Sequence, residues 1–275
     1  MQVTDPSWAS TSSTDAPKPV GSLRTRRLEA SWVTQTEELR EAQRLRYRVF
    51  AGEMGACLRT FPSVPQGHDA DRFDEFCAHL IVRAWSAGSV VPKVVGTYRV
   101  LTPQAALRAG GFYSETEFDL HPLAPLRARM AELGRACVDP EWRTGGTILA
   151  LWSALGRFMI SHGLDVALGC ASVGLSDGGG EAVELWHRLS ATHLAPPERR
   201  VRPLRPLPLA HAPLPLAKAT VPPLIKGYLN CGAELLGPPA WDRDFNTAEL
   251  PMLMRFADLP QRHRRHFIDP VLRAS

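Results

Sequence analysis

The sequence MAELGRACVDPEWRTGGTILALWSALGRFMISHG, residues Met130 to Gly163, predicts a strand, a tight polar turn and a long amphipathic helix. Charged side chains lie inside the strand, at Glu132 and Arg135, where a purely structural strand usually carries Val or Ile. The turn brings one arginine and two glycines to the start of the helix. Because the first N–H groups of a helix have no partner within it, they attract anions. The stretch therefore predicts an anion site beside a charged strand.

The segment Arg143-Thr-Gly-Gly-Thr is the candidate for that anion site. Backbone N–H groups around Gly145, Gly146 and Thr147, together with the guanidinium of Arg143, can hold a phosphate. The alternative is an ordinary strand-to-helix turn, in which glycine is common. The segment by itself is compatible with both.

The two charges in the strand can act together only if they reach the same side of the sheet. On a regular strand Glu132 and Arg135 point to opposite faces, because the side-chain period is two. Gly134 lies between them and is a position where a β-bulge can occur. We therefore predict a bulge at Gly134 that brings both side chains to one face.

Five further charged residues form a second candidate set: Arg46 in a helix predicted over residues 34–50, Asp69, Asp71 and Asp74 in one loop, and Arg99 near the end of a strand. A substrate with a carboxylate and an amine needs an arginine for the first and a carboxylate for the second. The alternative is structural ion pairing around the loop. Arg46 lies on the apolar face of its helix, and its long stem favours a snorkelling position at the edge of the core.

The rest of the chain alternates between short apolar runs and helical patterns. Strands are predicted at residues 28–33, 78–85, 94–101, 165–173 and 250–256, and further helices at 103–109 and 224–231. This alternation predicts a mixed α/β domain around one sheet. Residues 1–24 are rich in Ser, Thr and Pro and are expected to be a disordered tail, which leaves 25–275 as the domain. The proline-rich stretch 195–223 is expected to run extended.

Composition excludes several classes of protein. No apolar run approaches the roughly 18 residues of a membrane span. The five cysteines are scattered without a CxxC pair, which argues against disulfides and a metal site and for a cytoplasmic protein. A net charge of +4 predicts no nucleic-acid partner. Basic residues nevertheless cluster around 24–27, 199–205 and 262–265, which suits an acidic protein, an anionic membrane or a solvated face.

Several motifs together resemble a known family. The segments LRYRVF (45–50), DADRFD (69–74), GTYRVL (96–101) and ELGRACV (132–138) resemble the GNAT-superfamily acyltransferases that use acyl carrier protein, and their charges are similar to those of acyl-homoserine lactone synthases. The block PPLIKGYLNCGAELLGPPAWDRDFNTAE (222–249) resembles the L-ornithine Nα-acyltransferases of ornithine-lipid synthesis, whereas the shorter lactone synthases lack it. The resemblance covers about residues 25 to 270 of the chain.

The resemblance implies a GNAT-like single domain, with a mixed central sheet flanked by helices and a C-terminal extension. It implies transfer of a 3-hydroxyacyl chain from acyl carrier protein to the α-amine of L-ornithine, giving lyso-ornithine lipid, with no bound cofactor. Glu132 is then expected to be the base and Arg135 a second catalytic residue. Arg99 or Arg135 would bind the carboxylate of ornithine and Arg46 would support them, while the ammonium groups would go to Asp69, Asp71 and Asp74.

The anion site departs from the superfamily pattern, because Ile148 occupies the last position of the usual coenzyme A loop. The departure suits the single phosphate of phosphopantetheine better than a pyrophosphate. A lipid-like product is compatible with a cytoplasmic protein that attaches peripherally to the inner face of an anionic membrane. The alternatives are acylation of glycine, lysine or glutamine, an acyl-homoserine lactone synthase, and a non-catalytic module that docks carrier protein or membrane.

Overall fold

The computed structural model describes residues 27–58, 64–85, 91–208 and 219–267. The predicted tail of residues 1–24 lies outside the described residues, as does the middle of the proline-rich stretch. The division into a tail and a domain beginning at residue 25 therefore stays a prediction.

A single large sheet organises the described part of the chain. Its strands are β1 Arg27–Trp32, β2 Ala78–Trp85, β3 Lys93–Leu101, β5 Met130–Val138, β6 Val166–Gly174, β8 Glu234–Leu235, β9 Ala240–Asp242 and β10 Thr247–Arg255. They follow the order β1-β2-β3-β5-β6-β10-β8, and β9 also pairs with β10. Two further short strands, β4 Phe118–Asp119 and β7 Arg202–Pro203, pair separately with each other. The β5–β6 pair is parallel and the other pairs are antiparallel. The predicted mixed sheet is confirmed.

Helices cover both faces of this sheet. They are α1 Thr36–Tyr47, α2 Pro103–Ala109, α3 Gly145–Ser161, α4 Gly180–His193, α5 Pro223–Asn230 and α6 Gln261–Phe267. Leu80 and Val82 of β2 pack in the same cluster as Leu151 of α3, whereas Ile81 between them packs in the cluster of Leu45 on α1. The alternation follows from the two-residue period of a strand, and it places α1 and α3 on opposite faces.

The β5–β6 pair opens after its first residues. Met130, Ala131 and Glu132 pair with residues 166–168 of β6, and the two strands then diverge. Gly169 lies at the point of divergence, where an added Cβ would come within 2.7 Å of the Leu133 carbonyl oxygen. Because any larger residue would meet backbone there, glycine is required for this close approach. The divergence leaves backbone groups of both strands without a ladder partner at the centre of the sheet.

The predicted bulge exists, but its predicted position was wrong by one residue. Thr97 pairs with Cys137 and Arg99 with Gly134, so Tyr98 of β3 faces both Arg135 and Ala136. Arg135 takes the left-handed conformation, with φ +50°, whereas Gly134 keeps a ladder partner. The bulge lies on Arg135 because the ion pairs of its side chain, described below, hold this unfavourable backbone in place.

The last long strand begins earlier than predicted, at Thr247 instead of residue 250. Thr247 and Glu249 are polar residues in this strand, and both are buried. They share one face of β10 with Leu253, which packs in the core cluster next to β6. The short strand β9 was not predicted, although its residues lie in the 222–249 block. Both differences bring acidic side chains into the interior.

Candidate active site

Arg46 is fully buried, so the predicted snorkelling position is wrong. Its Nε donates to Asp69 and its Nη2 to Asp74, each at 2.8 Å. Burial acts to raise the pKa of Asp74, but the guanidiniums of Arg46 and Arg99 outweigh it and hold that pKa far below its usual range. Two buried carboxylates compensate the charge of Arg46, which is the condition for a charge inside a core.

The other charges complete a closed ring with these three. Arg99 donates to Asp71 at 2.6 Å and to Asp74 at 2.8 Å, and Arg135 donates to Asp71 at 2.8 Å. Arg135 also forms an ion pair with Asp69 at 3.3 Å. Each arginine therefore contacts two aspartates and each aspartate two arginines. This is the structural ion pairing that the sequence left open as the alternative, and it occupies the aspartates expected to bind ammonium.

The ring reaches the surface at only one corner. Asp71 and Arg135 have side chains that are 17% and 12% exposed, against 0–6% for the other four members. The guanidinium of Arg135 lies 5.2 Å from the ring of Tyr113 and 4.7 Å from that of Phe245. A ligand can therefore exchange contacts with this corner more readily than with the rest.

Glu132 lies beside the ring, where the 3-10 turn Tyr113–Thr116 holds its carboxylate. The carboxylate accepts from the backbone N–H of Tyr113 at 2.6 Å and of Ser114 at 2.8 Å, and from the Ser114 hydroxyl. Burial raises the pKa of Glu132, although these hydrogen bonds oppose the change. Glu132 and Arg135 both contact Tyr113, so the bulge places them on one side of the sheet as expected.

Ser114 links Glu132 to β6 and was missed by the sequence interpretation. Its Oγ lies 3.4 Å from Sγ of Cys170. Burial raises the pKa of Cys170 well above its usual range, so this thiol stays protonated and is a poor nucleophile. The signal for Ser114 in the sequence was weak, because a lone Ser after Phe-Tyr has no distinctive spacing.

The predicted anion turn lies at the exposed start of α3. Gly145 and Gly146 form its first turn and are exposed. Arg143 donates from both terminal nitrogens to the carboxylate of Glu53, each at 2.6 Å. The Thr147 side chain is buried and faces Gly96 of β3, so only its backbone N–H is available to an anion. The residues predicted for the anion site thus lie together, and the carboxylate of Glu53 occupies the position at Arg143 that an external anion would take.

Two half-exposed cations lie near this turn. Lys93 forms an ion pair with Asp139 at 2.8 Å, and Arg48 does so at 3.8 Å.

The basic segment 199–205 is less available to a partner than its sequence indicated. Arg199 donates to Glu234, at 2.7 Å for the shorter bond, and Arg200 donates to a backbone carbonyl at 2.8 Å.

An apolar cavity lies on the α3 face of the sheet. Its walls come from β3, β5, β10, α3 and α5 and from the 3-10 turn after β10, and they are Tyr98, Leu133, Trp152, Leu155, Gly156, Met159, Tyr228, Cys231, Met254, Phe256 and Leu259. The hydroxyls of Tyr98 and Tyr228 satisfy one another by a hydrogen bond. Leu133 follows Glu132 in β5, so the cavity and the buried carboxylate meet the same part of the strand from opposite faces.

Two kinds of feature are absent from the described ranges. None of the helices placed there is long and apolar enough to cross a bilayer. Among the same residues, no group of three His, Cys, Asp or Glu side chains has an arrangement that could hold a metal ion.

Comparison with known proteins identifies the family. Residues 45–153 match the model of the acetyltransferase (GNAT) domain. The chain is 34% identical over 251 residues to the L-ornithine N(alpha)-acyltransferase of Brucella abortus (strain 2308), covering 87% of this chain and 88% of that protein. It is 33% identical over 239 residues to the Rhodobacter capsulatus protein of the same name, covering 84% and 91%.

Solved structures with a similar chain path include two synthases. The acyl-homoserine lactone synthase LasI has a TM-score of 0.47 at 12% identity, covering 89% of this chain and 95% of that one. FeeM, an N-acyl amino acid synthase from uncultured soil microbes, has a TM-score of 0.48 at 12% identity, covering 89% and 96%. With the family match and the relatives above, the GNAT-like fold is established, and this chain is an acyltransferase that belongs to the L-ornithine Nα-acyltransferase family.

Proposed function

We propose that this chain transfers a 3-hydroxyacyl group from acyl carrier protein to the α-amine of L-ornithine, giving lyso-ornithine lipid as the first step of ornithine-lipid synthesis. The relatives support ornithine as the acceptor, because their names state that substrate. The observation that carries the proposal is the divergence of β5 and β6. At this point the buried carboxylate of Glu132 lies on one face of β5, and the apolar cavity lies on the other. We propose that the acyl thioester extends through the gap between the strands, with its carbonyl near Glu132 and its acyl tail in the cavity.

The cavity supports an apolar acyl chain as the donor group. Its walls are almost entirely apolar, and its polar hydroxyls are paired with each other. Burial of each methylene contributes about 0.8 kcal/mol. A chain that fills this space therefore gains affinity with length until the cavity ends.

The reaction needs a base, an oxyanion site and a leaving thiol. The ammonium of ornithine loses a proton and its nitrogen attacks the thioester carbonyl. The tetrahedral intermediate then loses a second proton from this nitrogen and expels the phosphopantetheine thiolate, which takes up a proton to leave as the thiol. Glu132 is the proposed base, directly or through water, with a contribution of about 10²–10⁴ in rate. Its pKa, raised by burial, makes it a better proton acceptor. Unpaired backbone N–H groups on the diverging strands are proposed to stabilise the oxyanion, by about 3–4 kcal/mol.

The exposed corner of the ion ring is the proposed site for the carboxylate of ornithine. Arg135 can exchange part of its contact with Asp71 for this carboxylate, because both side chains reach solvent. Arg99 stays paired with Asp71 and Asp74 and so holds the exposed corner in place. Arg46 holds Asp74 in turn, through its own hydrogen bond to that carboxylate. In this proposal the ring serves mainly to orient Arg135.

The donor is proposed to dock at the start of α3. The phosphopantetheine phosphate would replace Glu53 at Arg143 and meet the backbone N–H groups of Gly145, Gly146 and Thr147. Arg48 and Lys93 lie half exposed near this turn and suit an acidic carrier protein. The acyl-carrier protein is thus a cosubstrate and no resident cofactor is proposed. We also propose a cytoplasmic location with peripheral attachment to anionic lipid, for which the basic helix α6 is a candidate contact.

The test is an acyl-transfer assay with the purified chain. A 3-hydroxyacyl carrier protein, or the same acyl group on coenzyme A, is incubated with ornithine, lysine, glycine or glutamine, and the lipid is identified by mass spectrometry. We expect Nα-acylated ornithine, formed from the carrier-protein donor. Acylation of glycine but not ornithine contradicts the proposed acceptor, and equal rates with coenzyme A contradict the proposed donor.

The assignment of the base is tested by Glu132→Gln, with Glu181→Gln as a matched control. Glu181 is an exposed residue on α4, so its substitution should leave the rate unchanged. We expect Glu132→Gln to lower kcat by about 10²–10⁴ with a normal melting curve. An unchanged kcat would exclude Glu132 as the base.

A further inference from the structure

Three acidic side chains lie in the interior near Tyr113, and none of them was singled out by the sequence. Glu249 of β10 pairs with Ser172 of β6, and Asp242 of β9 pairs with Thr247 of β10. Since Thr247 and Glu249 are two residues apart, the carboxylates of Asp242 and Glu249 belong to one face.

Glu117 reaches the same place through the segment after β7. The N–H of Leu204 donates to the Glu117 carbonyl at 2.8 Å, and the N–H of Trp241 donates to the Arg205 carbonyl at 2.8 Å. The segment thus bridges Glu117 and β9, and the charge of Asp242 acts on Glu117. We call Glu117, Asp242 and Glu249 the acidic cluster.

The acidic cluster differs from the ion ring in its charge balance. Its members are only 4–7% exposed. Within the described part of the chain, their ion-pair contact is a single one, from the half-exposed Arg205 to Glu117 Oε1 at 3.1 Å. The ring has three arginines for three aspartates, whereas the cluster has one arginine for three carboxylates. Burial of a charge without a partner costs free energy, so we expect these carboxylates either to be protonated or to bind a cation.

One acceptor in the acidic cluster has no partner among the residues that the structure describes. Glu117 Oε2 is buried and accepts no hydrogen bond from them. By contrast, Asp242 accepts from the N–H groups of Asp244 and Phe245 at 2.9 and 3.0 Å, and Glu249 accepts from the Thr247 hydroxyl at 2.7 Å and from Ser172. Because buried polar atoms are normally hydrogen-bonded, we expect a hydrogen-bond donor of a bound ligand to satisfy this oxygen.

The nature of that ligand follows from the surroundings. The cluster is not among arrangements that could hold a metal ion. Asp242 accepts from the N–H of Phe245, and the ring of Phe245 lies 4.7 Å from the guanidinium of Arg135. The charges of Arg135, Asp242 and Glu249 all act on Tyr113, so the acidic cluster and the exposed corner of the ring lie near the same aromatic side chains. A molecule held there meets a guanidinium at one end and carboxylates at the other. A diamino acid has this order of charges, with a carboxylate at one end and an ammonium on a flexible stem at the other.

We propose that Glu117, Asp242 and Glu249 form the subsite that binds the side-chain ammonium of the acceptor and so select a basic amino acid over a neutral one. The inference rests on the proposed function, because it takes ornithine as the acceptor. In this proposal the α-amine remains near Glu132 and next to the thioester, which explains why acylation would occur there and not at the side chain.

The experiment compares ornithine with norvaline, which has the same carbon chain but no side-chain amine. The full-length wild type should prefer ornithine. Glu249→Gln and Glu117→Gln should each lower kcat/KM for ornithine about 10–100-fold, mainly through KM, and leave norvaline unchanged. Glu249→Asp should recover part of the preference because it keeps the charge, and Glu181→Gln should behave as wild type.

Three results would overturn this proposal. They are a wild type that uses both acceptors equally, variants that lose both acceptors to the same extent, and variants that retain the preference for ornithine. A wild type that acylates neither acceptor instead contradicts the proposed function itself, so the two failures are distinguishable. Binding of ornithine without acyl donor, measured by calorimetry, gives a second readout, and equal affinity in wild type and Glu249→Gln would also overturn the subsite.

Discussion

Replacement of Glu249 by Gln should stabilise this protein at high pH, although Glu249 is a buried and hydrogen-bonded residue. Burial raises the pKa of Glu249 to about 7, from an ordinary value of 4.5, and the charges of Asp242 and Glu117 act in the same direction. Hydrogen bonds from Thr247 and Ser172 oppose the change without cancelling it. Gln has nearly the same shape as the protonated acid and does not titrate.

The sign of the effect follows from proton binding. Between pH 4.5 and about 7 the folded state holds a proton on Glu249 that the unfolded state has released. The free energy of unfolding of the wild type therefore falls as pH rises through this window. A difference of about 2.5 pH units at 1.36 kcal/mol each gives about 3 kcal/mol, lost completely above the folded pKa. Glu249→Gln removes this loss.

The assay is urea unfolding of the two proteins without ligand, at about pH 4 and about pH 8. We expect equal stability at the lower pH and a variant more stable by up to about 3 kcal/mol at the higher pH, which corresponds to roughly 6–12 °C in Tm. Glu181→Gln serves as the control and should show no pH-dependent difference. A difference independent of pH, or a variant less stable at about pH 8, would refute the reasoning.

Three further predictions test other parts of the site. Arg46→Leu should destabilise the fold by about 3–5 kcal/mol in urea unfolding, because Asp69 and Asp74 lose their shared partner; a cost below about 1 kcal/mol would show that the ring does not depend on it. Arg143→Ala should raise KM for the acyl donor while KM for ornithine stays constant, and a change in both would argue against a donor site at α3. Leu133→Trp should narrow the apolar cavity and shift donor preference toward shorter acyl chains, with a loss of about 0.8 kcal/mol per methylene no longer accommodated; unchanged chain-length preference would place the tail elsewhere.

Much of the centre of the fold could be predicted from local patterns. The helix at 103–109 and the hairpin strands at 78–85 and 94–101 agree with α2, β2 and β3 to within one residue, since their apolar spacing and turn residues are local properties. The charges at Glu132 and Arg135 stood out for the same reason, because a buried strand normally excludes them. The motifs around them and the 222–249 block sufficed to identify the family.

The partners of the charged residues could not be predicted in this way. Arg46 bonds to aspartates 23 and 28 residues away, and Arg135 bonds to Asp71, 64 residues away. Without those partners, burial of Arg46 is prohibitive and snorkelling is the better prediction. The position of the bulge has the same origin, because the ion pairs of Arg135 hold a left-handed backbone that Gly134 would adopt more easily.

The sequence by itself determined the family, the strand–helix pattern and the existence of charge inside β5. Only the tertiary structure decided which charges neutralise one another and which do not. The three aspartates of the 69–74 loop looked available and are paired. Glu117, Asp242 and Glu249 looked ordinary, and within the described residues only Glu117 has an ion pair, with Arg205. The reason is physical: the energy of a charge depends on its desolvation and its neighbours in space, and both are properties of the folded chain.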